Sequence, residues 1–164
     1  MNRQEINKTE SLYLIDTMSI AGHERLKESL IKMLMLFNLF ECVYLKDKIN
    51  DTDKYAIIDK YTMDESLIIK EFNFFKERYY NNGNFTNNFK TLNFGKDLKQ
   101  KIGNSFIANN EKLFALTRIA YKFRNNLYHG HKHICELEKY ETCFENINSF
   151  LIKFLKNAKE KDNG

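Results

Sequence analysis

From His23 to Lys46, apolar residues return at steps of three and four: Leu26, Leu30, Ile31, Leu34, Phe37, Phe40, Val43 and Tyr44. That period turns them all to one face of a helix, and a face so long must be covered by something. The rest of the chain supplies the cover. Ser66 to Tyr80 carries Leu67, Ile68, Ile69, Phe72, Phe75 and Tyr79, with Asp64 or Ser66 placed to cap the first N–H groups. Asn109 or Asn110 is placed to cap a helix holding Leu113, Phe114, Leu116, Thr117, Ile119, Ala120, Phe123 and Leu127. Tyr140, Cys143, Phe144, Ile147, Phe150, Leu151, Phe154 and Leu155 form the stripe of a fourth helix, after which Lys156 to Gly164 is expected to fray into solvent.

Weaker signals lie around these four. Leu12 to Ile20 suits a shorter helix ahead of the break at Ala21-Gly22, and Asp47 to Lys60 is charged and irregular, which reads as a connection. Asn81-Asn82-Gly83-Asn84 is expected to end the second helix, because Gly and Asn tolerate the left-handed conformation. Phe89, Leu92, Phe94, Leu98 and Ile102 line a further helical stretch punctuated by Gly95 and Gly103. No segment alternates convincingly as a strand. The expectation is an all-α, four-to-five-helix bundle with a decorated middle segment, a single domain over residues 1–164, since two cores would both be undersized.

Composition narrows the function classes. With 43% hydrophobic and 14% aromatic residues the chain can form a packed core, so it is not a disordered tail. Lys and Arg number 26 against 22 Asp and Glu, a net charge of +4 that suits a polyanionic partner without the density of a nucleic-acid coat. Cys42, Cys135 and Cys143 are odd in number and lack CxxC spacing, so they read as thiols of a reducing compartment, and a cytoplasmic location is expected. No apolar run reaches the roughly 18–20 residues that span a bilayer, so no membrane role is expected.

The densest chemistry is in Arg124-Asn125-Asn126-Leu127-Tyr128-His129-Gly130, where the third strong helix ends. His takes or gives a proton near neutral pH, and Arg offers a permanent charge with a planar fork of donors for phosphate oxygens. On a continuing helix the two are separated by about 140° of rotation and about 7.5 Å of rise, so a single helix end spreads them widely. The pair suits phosphodiester cleavage: His129 takes the 2′-hydroxyl proton of RNA or protonates the leaving oxygen, and Arg124 stabilises charge on the phosphate. The products would be a 2′,3′-cyclic phosphate and a 5′-hydroxyl, and DNA would be excluded for want of the attacking group. The plainer alternative is that Arg124 and His129 only complement the carbonyls and dipole of a helix end.

This arrangement of Arg124, the adjacent polar Asn125, a short spacer, His129 and Gly130 between hydrophobic helices resembles the HEPN superfamily of helical-bundle proteins. Many of its members are metal-independent ribonucleases in bacterial toxin–antitoxin, phage-defence and CRISPR systems. The resemblance implies a HEPN-like fold, an endoribonuclease needing no cofactor or metal, and Arg124, Asn125 and His129 as catalytic residues, Asn125 orienting substrate or His129. It also implies RNA as substrate and a homodimer whose two motifs share one cleft; of the aromatic and aliphatic residues near the motif, Tyr121, Leu127 or Tyr128 suit the contact as interface anchors. An antitoxin or regulatory protein partner is a further implication. Some HEPN proteins are neutralised by a partner nucleotidyltransferase that modifies a Tyr just after the His; here that place holds His131, a departure from the pattern.

His129, His131, His133 and Cys135 alternate in a way that invites a zinc reading, but flanking helices argue for a turn, where period-two spacing does not converge. His131 and His133 are expected instead to line the substrate-binding rim, with no metal. Phe85 and Phe89 suit either base stacking or anchorage of the Asn-rich loop. A different class of function stays open: a non-catalytic HEPN-like module that binds a protein or nucleotide partner.

Overall fold

The computed structural model describes residues 24–45, 61–92, 95–104, 107–128, 137 and 139–163. They form an all-α fold: α1 (Glu24–Phe40), a π turn (Glu41–Leu45), α2 (Glu65–Tyr79), α3 (Asn87–Leu92), α4 (Lys96–Gly103), α5 (Asn109–Tyr128) and α6 (Glu141–Asn163), with a two-residue hairpin of β1 (Tyr80–Asn81) and β2 (Asn84–Phe85) between α2 and α3. The four periodic stretches of the sequence are α1, α2, α5 and α6. The short helix expected at 12–20 and the connection at 47–60 lie outside the described residues.

Among the described residues α1 and α6 form the most extensive pairing. Contacts along them follow in order. Arg25 Nη2 donates to Glu145 Oε1 at 2.6 Å, Asn148 Nδ2 donates to the Ser29 carbonyl at 2.8 Å, and the Phe40 and Phe154 rings meet edge-on with centroids 5.1 Å apart. The two helices therefore run side by side in the same direction. α2 runs against α6: Lys153 Nζ reaches Glu71, while farther along α2 Arg78 donates to the Lys139 carbonyl and lies over the Tyr140 ring. α5 closes the core with Leu113, Leu116, Ile119 and Phe123, the Phe123 ring meeting Phe75, Tyr140 and Phe144. Phe37, Phe40, Phe75, Phe144, Phe150 and Phe154 are fully buried, each contributing about 1.5–3 kcal/mol through the apolar surface removed from water.

Four local expectations are corrected. α6 does not fray at Lys156 but continues to Asn163, because Ala158 is buried, Lys161 Nζ donates to the Thr62 carbonyl at 2.6 Å, and Tyr61 donates to Asp162 Oδ1 at 3.0 Å. Asn81 to Asn84 is a hairpin, with Asn82 at φ 49° and Gly83 at φ 76° between the paired Asn81 and Asn84. Two central residues of positive φ make the turn whose twist matches its strands, and Asn-Gly is its usual sequence. At the start of α2, Asp64 is the cap residue, yet its side chain makes no capping bond; its carbonyl accepts from the Leu67 N–H at 3.0 Å. At the start of α5 the carbonyl of Ala108 accepts from the N–H groups of Glu111 and Lys112, and Glu111 Oε2 accepts from the Ala108 N–H at 3.0 Å. Asn109 instead sends Nδ2 across to the Met63 carbonyl, tying α5 to the segment before α2.

The decorated middle divides at Gly95, the residue before α4, and Gly103 ends α4 with the Phe85 ring against it. Among the described residues no helix is long and apolar enough to cross a membrane.

Candidate active site at the end of α5

α5 buries Leu116, Ile119, Ala120 and Phe123 on one face, so Arg124, next in sequence to Phe123, stands where that face meets solvent. Its guanidinium lies over the Phe37 ring of α1, 5.9 Å from the centroid, and Phe37 in turn meets Tyr121 one turn back on α5. The charged head is held at two of its nitrogens. Nη1 donates to Asn125 Oδ1 at 3.0 Å, and Nη2 donates to Glu41 Oε2 at 3.0 Å. Arg124 and Glu41 are equally open, each side chain 26% exposed, so the pair sits at the surface of the molecule within reach of a solute.

Of the residues expected to be catalytic, the structure brings together Arg124 and Asn125. His129, along with His131, His133 and Cys135, lies outside the described residues. Asn125 Oδ1 accepts from Arg124 Nη1, so among the described residues the group it holds is Arg124.

Glu41 and Phe37 were not anticipated. Glu41 opens the π turn in which α1 ends, a widened geometry that recurs at functional sites because it re-aims side chains relative to the preceding turns. One signal for it is present in the sequence. Glu41 is the only charged residue between Lys32 and Lys46, in a run otherwise built for the core, and a charge in such a run needs a partner.

Away from this site, Phe89 is buried and so closed to base stacking, and the Phe85 ring is packed between Phe89 and Tyr80 with Lys99 above it. The pair anchors the hairpin to α4. Tyr121 and Leu127 are half-buried against the core. Among the described residues no group of His, Cys, Asp or Glu converges as a metal site. Cys143 is a buried thiol and Cys42 an exposed one. No protein-family model matches the chain, and no curated protein or solved structure does either.

Proposed function

We propose that the chain is a HEPN-like, metal-independent endoribonuclease of toxin or phage-defence type, acting as a homodimer. Attack of the RNA 2′-hydroxyl on the adjacent phosphate would leave a 2′,3′-cyclic phosphate and a 5′-hydroxyl. The observation that carries this reading is the partly exposed Arg124, its Nη1 held by Asn125, in the last turns of a helix that His129 and Gly130 follow in sequence. A permanently charged fork at the surface is suited to a phosphate, and an imidazole five residues on supplies the proton transfer that cleavage requires. A two-fold axis at the motif would set a second Arg and His against the first, compensating for the spread of the pair along one helix. His131 and His133 belong to the substrate rim in this reading.

A second reading has an observation of its own. The Arg124–Glu41 ion pair is what an arginine with a purely structural task would make, and it favours a non-catalytic HEPN-like module that binds a protein or nucleotide partner. End-labelled total RNA separates the two. We expect cleavage by the wild-type chain that survives EDTA, yields cyclic-phosphate ends and is lost in Arg124→Ala and His129→Ala. RNA left intact by the wild-type dimer, or cleavage equal in all three chains, would remove the catalytic assignment.

A further inference from the structure

We infer that Glu41 is the resident anion of the Arg124 site: in the RNA-free chain it positions the guanidinium over Phe37, and a phosphate of bound RNA takes its place on Nη2. This rests on the reading of Arg124 as a phosphate-binding residue. Three observations lead to it.

The first is the chemistry of the occupied positions. Nη1 carries the neutral amide of Asn125, whereas Nη2 carries a carboxylate. A guanidinium fork donates to carboxylate and phosphate oxygens in closely similar planar geometry, so the carboxylate occupies a position that a phosphate would use. The second is exposure. Both side chains are about a quarter exposed, so solvent and solutes reach the pair, and a single ion pair that water reaches contributes little and can exchange. The third is origin. Glu41 comes from the π turn after α1, 83 residues from Arg124, so the pair is made between separate elements and is not a local contact along α5. While Glu41 stays, it also repels any phosphodiester that approaches, and so sets the affinity of the site.

The test uses a short 2′-O-methyl oligoribonucleotide, which offers phosphates but no attacking hydroxyl, so that binding is read without cleavage. Glu41→Gln keeps an acceptor for Nη2 and removes the charge. It should tighten binding about two- to fivefold, the effect of one partly exposed charge pair removed as competitor. The gain should shrink as salt is raised. It should also vanish when Arg124→Ala is present, because the two charges act on one site. A merely structural Glu41 would give no gain coupled to Arg124. Glu41→Met, of similar length and without charge, repeats the test should the first variant fold poorly. Failure of both to fold would overturn the inference, since a weakly held pair cannot carry the fold. So would unchanged or weaker binding, a gain of equal size on the Arg124→Ala background, or no binding by any of the chains. A coupled gain in a chain that cleaves no RNA would keep the role of Glu41 and remove the ribonuclease reading; cleavage without the coupled gain would do the reverse.

Discussion

Arg124 and Asn125 were legible as a pair because the information is local: an arginine with a polar neighbour at the end of a strongly periodic helix. What Asn125 does was not. A side chain beside Arg124 has substrate, His129 and Arg124 itself within plausible reach, and only the folded geometry shows its Oδ1 accepting from Nη1. Glu41 was harder still, since its contact with Arg124 depends on how the end of α1 meets the end of α5. The Asn125 bond leads to a graded prediction. Without Asn125 the guanidinium keeps its charge and its bond to Glu41 but loses the acceptor on Nη1. Asn125→Ala should therefore slow RNA cleavage roughly ten- to hundredfold, the scale on which misplacement of a charged group acts, and leave residual activity where Arg124→Ala leaves none. Single-turnover kinetics on end-labelled RNA checks this. Wild-type rates in Asn125→Ala would show that Phe37 and the bound phosphate suffice to hold the arginine.

The elements follow the same division between local and distant causes. α1, α2, α5 and α6 declare themselves because large apolar residues recur at the helical period and the core they form is what stabilises them. The last turns of α6 carry no such stripe. Ala158 is too small to advertise burial, and Lys161 and Asp162 are held by Thr62 and Tyr61, about a hundred positions earlier in the chain. The hairpin fails in the other direction: Asn-Gly is a local signal, but two-residue strands are too short to alternate, so the turn looks like the end of a helix. Its backbone nonetheless makes a sharp prediction. Gly83 has φ 76°, and a Cβ added there would meet nothing within 4 Å, so the cost of a side chain is backbone strain alone. Gly83→Ala should lower the free energy of unfolding by about 1 kcal/mol, the penalty of the left-handed region for an L-residue. Urea denaturation measures it, and an unmoved midpoint would mean that the turn relaxes to another geometry.

Across the whole molecule, apolar stripes dictate that helices must meet but leave their direction and register loosely specified, and buried polar groups can supply what is missing. α6 carries a buried and a half-buried polar group on adjacent residues. Asn148, 5% exposed, donates to the Ser29 carbonyl of α1, and Ser149 donates to Glu71 of α2 at 2.6 Å, with Lys153 Nζ at 2.6 Å from the same oxygen. These bonds tie three helices at one level. None was legible in the sequence, where Glu71 stands between Lys70 and Phe72 and its partners Ser149 and Lys153 lie about eighty positions away. Glu71 is 1% exposed. Burial pushes its carboxyl up, yet the hydrogen bonds from Lys153 and Ser149 outweigh that and hold it below the usual carboxylate range. A group whose pKa is lower folded than unfolded contributes stability that is complete above the unfolded value, near 4.3, and is lost as pH falls through the folded one. Glu71→Gln keeps the shape and removes the titration. We expect it to be less stable than wild type at pH 7 by about 1–3 kcal/mol, the range for a buried hydrogen bond to a charged group. The gap should narrow steadily as pH falls below about 5, because the wild-type chain then loses what the variant never had. Thermal unfolding from pH 7 to pH 3 reads this directly. Other carboxylates titrate in both chains and cancel in the difference, so parallel stability curves would mean that Glu71 is not held as an anion between α2 and α6.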